Sequence, residues 1–231
     1  MLLNSARSCQ QEYEAFIRMV NMDFPYVLPD SIFDDSVYYL FELVYNSIVA
    51  QHSRITNSYY SKNGNGLFNL AFLDHYLILC YRFAHALFVN QVNVLLADAV
   101  YYTSKMRTST DIYYRGHIGD FFLPVHPLGS VVDSRATYGK GFRLYNGVQI
   151  GPYGIAGKNP VDWVHPVIGD GVIVYANSCI YGRTVVGDNV TITPCTTIIN
   201  EKIPDSCIVF GSSPNLKLIP NNHNNLDIIT N

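Results

Sequence analysis

Apolar side chains recur at every sixth residue of the C-terminal half, in two runs. The first run is Val132, Tyr138, Leu144 and Ile150, and the second is Ile168, Val174, Ile180, Val186, Ile192 and Ile198. A strand has a period of about two residues and an α-helix of about 3.6, so neither produces this column. A parallel β-helix does, because each coil holds three short strands whose apolar side chains point into a narrow prism. Its coils stack at ~4.8 Å.

A second column supports this interpretation. The residue four positions after a marked one is small or β-branched at Ala136, Val148, Val172, Ser178, Thr184, Val190 and Thr196. The two runs stay in phase, because Ile150 and Ile168 are three repeats apart. Between them, residues 151–160 are expected to form a loop that interrupts the surface of the β-helix.

The N-terminal half follows a helical pattern instead. Pro29, Asp30 and Ser31 offer a helix start, and the helical period disappears at Asp111. We therefore predict an α+β chain in which residues 1–108 form a helical N-terminal domain and residues 109–219 form a β-helix. Residues 220–231 are expected to be a polar, frayed tail.

Composition narrows the function classes. The 231 residues are 48% hydrophobic and 14% charged, and the net charge is −3, so a nucleic-acid partner or a polybasic membrane surface is not expected. Charged and polar residues interrupt the apolar stretch 67–96, which argues against membrane insertion. Five cysteines without CxxC spacing are typical of free thiols in a reducing, cytoplasmic compartment.

Three segments resemble the hexapeptide-repeat acyltransferases, and among them the serine O-acetyltransferase type. These are DIYYRGHIG from Asp111, PVHPLGSVV from Pro124 and VHPVIGDGVIVYANSCIYG from Val164. The resemblance implies a left-handed β-helix and acetyl-CoA as donor, with no metal. It also implies a homotrimer, or a dimer of trimers, with active sites between subunits.

The resemblance also implies catalytic roles. His126 corresponds to the family's general base, and Asp111 to the carboxylate that orients it. His165 corresponds to the second active-site histidine, which assists the acceptor or the oxyanion. An imidazole suits proton removal from a hydroxyl at neutral pH, and a carboxylate on its far nitrogen holds the tautomer.

Cofactor contacts are implied for six further residues in the loop and the later coils. They are Gly154, Lys158, Ala176, Thr191, Thr193 and Pro194.

Two substitutions in the family pattern concern the acceptor. Serine acetyltransferases carry an acid before the first histidine and a base before the second, whereas this chain has Val125 and Val164. A zwitterion there would leave charges unpaired. We therefore expect a sugar-type hydroxyl as the small-molecule acceptor, on a polysaccharide, a repeat-unit intermediate or a nucleotide-sugar, which indicates polysaccharide biosynthesis. The sugar would stack on aromatic residues near the site. These are Phe121, Phe122, Tyr153 and Trp163.

Three other functions remain open from the sequence. The first is a serine acetyltransferase of cysteine biosynthesis with altered recognition. The second is a zinc enzyme like the gamma-class carbonic anhydrases, which would need three converging histidines, and the spacing of His117, His126, His165 and His223 does not provide them. The third is a non-catalytic trimeric scaffold.

Overall fold

A computed structural model describes residues 8–26, 28–56, 61–62, 65–66, 68–153 and 163–230 of the chain. Its N-terminal part contains helices α1 (Cys9–Asp23), α2 (Asp35–Ser53), α3 (Leu73–Val89) and α4 (Val94–Thr108). A 3₁₀ turn (Asp30–Ile32) precedes α2, and a short antiparallel pair, β1 (Ser61–Lys62) and β2 (Asn65–Gly66), precedes α3.

Helix ends follow ordinary capping chemistry. Ser8 and Gln11 form a capping box at the start of α1, and the Asp34 carboxylate accepts hydrogen bonds from the first turn of α2. Ser109 ends α4 in the left-handed conformation, with φ of 51°. The chain then turns directly into the first strand of the β-helix.

The C-terminal part is a parallel β-helix whose coils contribute strands to three sheets. Sheet 1 contains β3 (Asp111–Ile112), β5 (Val131–Val132), β8 (Gln149–Gly151), β11 (Cys179–Tyr181) and β14 (Thr197–Ile199). Sheet 2 contains β6 (Thr137–Tyr138), β9 (Val167–Ile168), β12 (Val185–Val186) and β15 (Lys202–Ile203). Sheet 3 contains β4 (Leu123–Pro124), β7 (Arg143–Leu144), β10 (Ile173–Val174), β13 (Thr191–Ile192), β16 (Cys207–Phe210) and β17 (Lys217–Pro220), the last of which is antiparallel.

Both sequence columns point into the prism. Every residue of the six-residue column is at most 4% exposed, and every residue of the small or β-branched column is at most 5% exposed. The predicted helical domain followed by a parallel β-helix is therefore confirmed.

The chain passes from sheet 3 to sheet 1 at one edge of the prism, here called the 3/1 corner. It passes from sheet 1 to sheet 2 at another, here called the 1/2 corner.

The interruption between the two runs is an excursion at the 1/2 corner. Strand β8 leads to β9 as one step around the prism, although Ile150 and Ile168 are three repeats apart in sequence. One step around the prism normally takes one repeat, so this connection is two whole repeats longer than usual. The six-residue column therefore stays in phase. A bridge between Tyr153 and Val164 closes the described base of this excursion. The predicted loop at residues 151–160 lies mostly outside the described residues.

The C-terminal tail is docked rather than frayed. Asn225 is buried, and its side-chain amide donates to the carbonyl of Gly171 at 2.9 Å. The amide of Thr56 donates to Ile228 O at 2.7 Å, which joins the tail to the end of α2. The asparagines that give the segment its polar composition therefore satisfy buried backbone groups, and composition alone suggested the opposite.

All five cysteines are free. Of the helices that the structure describes, none combines the length and the apolar character needed to cross a membrane.

Candidate active site

His126 lies in the turn at the 3/1 corner between β4 and β5. Its φ of 47° is in the left-handed region, and its side chain is exposed. The turn is fixed on both sides, because Val125 N donates to Leu144 O at 2.7 Å and Leu128 N donates to His126 O at 2.8 Å. Backbone hydrogen bonds therefore hold in place the turn that exposes the imidazole.

A cleft of about 250 Å³ opens beside this turn. It lies between the start of α3, the end of α4 and the corner, and its lining residues are Ala71, Phe72, Leu73, Asp74, Thr108, His126, Pro127 and Leu128. The Asp74 carboxylate accepts a hydrogen bond from the backbone N–H of His126 at 3.4 Å. Sequence reasoning missed Asp74 as a site residue, although a carboxylate inside a largely apolar segment was the available signal.

Asp111 lies at the start of β3, where α4 meets the β-helix. Its carboxylate accepts hydrogen bonds from the Tyr101 hydroxyl and from the Lys105 ammonium, each at 2.5 Å. Burial, together with the Asp111 carboxylate, raises the pKa of Tyr101. Among the hydrogen bonds of the described residues, none joins Asp111 to His126, so the expected pairing is not formed within this chain.

His165 has a carboxylate partner that sequence reasoning missed. Its Nδ1 is hydrogen-bonded to the carboxylate of Asp133, which lies one coil earlier at the same 1/2 corner. The other carboxylate oxygen of Asp133 accepts the Arg135 N–H at 3.0 Å. His165 Nε2 is buried and has no hydrogen-bond partner within the described part of the chain. No sequence spacing pointed to this pair, because the excursion separates the two residues by 32 positions.

The two histidines lie at different corners of the prism. His126 precedes sheet 1 and His165 follows it, so the width of that sheet separates them. Within one chain, sheet 1 therefore lies between the two imidazoles.

The expected cofactor residues divide by position. Ala176, Thr193 and Pro194 lie in successive turns of the 3/1 corner, in line with His126. Thr191 lies on sheet 3, where its hydroxyl accepts a hydrogen bond from the amide of Asn225 at 3.2 Å. Gly154 and Lys158 lie outside the described residues.

The expected acceptor residues also divide. Val125 is half-buried at the 3/1 corner, whereas Trp163 and Val164 are exposed at the base of the excursion, directly before His165. Phe121 and Phe122 are 6% and 3% exposed, so neither ring offers a face for stacking on a sugar. Tyr153 is exposed.

The described ranges contain no group of three or more His, Cys, Asp or Glu side chains placed to hold a metal ion.

Residues 165–200 match the family model of the bacterial transferase hexapeptide (six repeats). A serine acetyltransferase of Helicobacter pylori is 29% identical over 136 residues, which are 58% of this chain and 75% of that protein.

Solved structures share the fold across both domains. The serine acetyltransferase of Neisseria gonorrhoeae in complex with serine superposes with a TM-score of 0.68 at 22% identity, covering 92% of this chain and 84% of that one. A serine acetyltransferase in complex with CoA gives a TM-score of 0.64 at 19% identity, covering 88% and 83%.

These relatives correct the expected acceptor. All are serine acetyltransferases, so the expectation of a sugar-type hydroxyl was wrong, and with it the assignment to polysaccharide biosynthesis. That expectation assumed that charges recognising the acceptor must flank the histidines in sequence. The repeat, the fold and the relatives together support a hexapeptide-repeat acyltransferase that resembles the serine O-acetyltransferases.

Proposed function

We propose that the protein is an acetyl-CoA-dependent serine O-acetyltransferase. The observation that carries the proposal is the position of His126, on a rigid turn beside a cleft, in a chain that shares fold and sequence with serine acetyltransferases. The cleft has room for a small acceptor. The turn that carries His126 forms one of its walls.

His126 is the proposed general base. Its exposed imidazole accepts the proton of the serine hydroxyl while the oxygen attacks the thioester carbonyl. The bond between carbon and sulfur then breaks, the ester forms, and the imidazolium returns the proton to the leaving thiolate. Acetyl-CoA supplies an activated acyl group, so the chemistry needs only proton transfer and stabilisation of charge.

His165 is proposed to stabilise the oxyanion. Asp133 holds Nδ1, which directs Nε2 away from the carboxylate and balances a positive charge on the ring. A buried Nε2 without a hydrogen-bond partner among the described residues is suited to donate a hydrogen bond to charge that develops on the carbonyl oxygen.

A trimer is the proposed working form. Since His126 and His165 lie at different corners, His126 of one subunit has to meet the 1/2 corner of the next. Ala176, Thr193 and Pro194 then line the same intersubunit groove, where short side chains leave room for the pantetheine arm of acetyl-CoA. A dimer of trimers, through the helical domain, is the larger assembly that the resemblance implies.

Thiol release from acetyl-CoA tests the function directly. We expect turnover with L-serine that far exceeds turnover with sugars and nucleotide-sugars, and formation of O-acetylserine. Light scattering coupled to chromatography should give a multiple of three chains. An enzyme that leaves L-serine unchanged at saturating acetyl-CoA would refute the proposal.

A further inference from the structure

We propose that Asp74 binds the ammonium group of the acceptor amino acid, in the role that the residue before the first histidine plays in serine acetyltransferases. The inference rests on the proposed function and extends it to the group that selects the acceptor. Val125 occupies the family's acidic position, so the negative charge has to come from another part of the fold.

One residue of the cleft lining carries a negative charge. Asp74 is the acidic residue among the eight that line it, while Ala71, Phe72, Leu73, Pro127 and Leu128 give mostly apolar walls. A carboxylate 8% exposed in such surroundings interacts strongly with a cation, because little water screens it. The first turn of α3 also favours negative charge at this position.

Distance supports the same assignment. The Asp74 carboxylate lies 3.4 Å from the backbone nitrogen of His126, so acid and proposed base share one end of the cleft. In serine the ammonium and the hydroxymethyl group are attached to the same carbon. An ammonium bound at Asp74 therefore keeps the hydroxyl within reach of the His126 side chain.

Asp74→Asn is the decisive variant. It keeps the size of the side chain and an oxygen that can accept from His126, but removes the charge. We expect the KM for L-serine to rise about tenfold or more, while the KM for acetyl-CoA stays within about twofold. Asp34→Asn is the matched control, because Asp34 also begins a helix but lies outside the cleft.

A second acceptor separates charge recognition from support of the turn. 3-Hydroxypropanoate, measured as an acceptor or as a competitive inhibitor of L-serine, has the hydroxyl and the carboxylate of serine but no ammonium. Asp74→Asn should leave its constants within about threefold of wild type. Equal losses with both compounds would show that Asp74 only positions His126, and would overturn the proposal.

The remaining outcomes are also decisive. Wild-type turnover of L-serine with an unchanged KM in Asp74→Asn rejects the role of Asp74 and leaves the proposed function intact. No wild-type turnover of L-serine rejects the proposed function itself. Unfolding midpoints and CoA affinities that match those of the Asp34→Asn control exclude a folding defect as the cause of a raised KM.

Discussion

The carboxylate of Asp133 is hydrogen-bonded to Nδ1 of His165 at the corner where the β-helix makes its excursion. Asp133 ends one coil of sheet 1, and His165 re-enters the next coil after the excursion. The bridge between Tyr153 and Val164 lies immediately before His165 and holds the backbone that carries the ring beside the carboxylate. The chain thus re-enters the repeat with a histidine at a fixed position.

Asp133→Asn should lower kcat for L-serine by about 10- to 100-fold with little change in either KM. The amide removes the negative charge that balances the imidazolium, and its NH₂ group competes for Nδ1. Steady-state rates of thiol release measure the effect. Asp133→Glu should recover part of the rate because it restores the charge. A kcat within twofold of wild type for Asp133→Asn would contradict the role proposed for His165.

His126→Asn should lose at least about 100-fold in kcat while CoA still binds. Asparagine tolerates the left-handed conformation that His126 adopts, so the turn is expected to survive where alanine would strain it. Titration calorimetry with CoA, next to the rate assay, separates binding from chemistry. If the variant keeps more than a tenth of the activity, the base is another group.

Much of the fold was readable from the sequence, because the prism imposes a periodicity of its own. Each residue of the column, from Val132 to Ile198, fills the same narrow interior, so a local rule repeats around the prism. The sequence did not show how many steps around the prism the chain makes between Ile150 and Ile168. An insertion of whole repeats leaves the pattern in phase, and only the pairing of β8 with β11 shows that a single step is made there.

The site was less readable, since its partners come from distant parts of the chain. The histidines were found through a resemblance, but Asp74 and Asp133 lie 52 and 32 residues from the groups they contact. Asp111 was expected beside His126 and instead bonds to Tyr101 and Lys105. Spacing along a β-helix predicts the face on which a residue lies. It does not predict which helix packs against that face.

Stability should depend on pH through the buried pair His52 and His75, whose Nε2 atoms are 3.0 Å apart. Burial lowers the pKa of His52 to about 4, and burial together with His52 lowers that of His75 to about 3. The unfolded chain, with ordinary values near 6.5, therefore binds more protons below that pH. Stability should be constant above pH ~7 and fall by about 2 kcal/mol per histidine between pH 7 and pH 5.

Urea unfolding at a series of pH values measures this slope. His52→Gln removes one of the two titrating groups and keeps a polar atom near the position of Nε2, so the slope between pH 6.5 and 5 should become shallower. His223→Gln changes an exposed histidine of the tail and should leave it unchanged. Parallel curves for wild type and His52→Gln would show that the pair does not control acid stability.

The buried amide of Asn225 should control how firmly the tail is held. Its Nδ2 donates to Gly171 O at 2.9 Å, and the carbonyl of Asn225 accepts a hydrogen bond from the Arg143 guanidinium. Asn225→Ala leaves the Gly171 carbonyl without this donor, at an expected cost of about 1–3 kcal/mol in the free energy of unfolding.

Hydrogen exchange shows where that cost falls. The amides of Thr56 and Thr230, which bond across the junction between the tail and the end of α2, should exchange faster in Asn225→Ala. The β-helix core should keep its protection, because the column residues do not depend on the tail. Asn222→Ala, at an exposed neighbouring position, should match wild type. Slow exchange at both threonines in Asn225→Ala would mean that the hydrogen bonds to Ile228 and Arg54 hold the tail without the Asn225 amide.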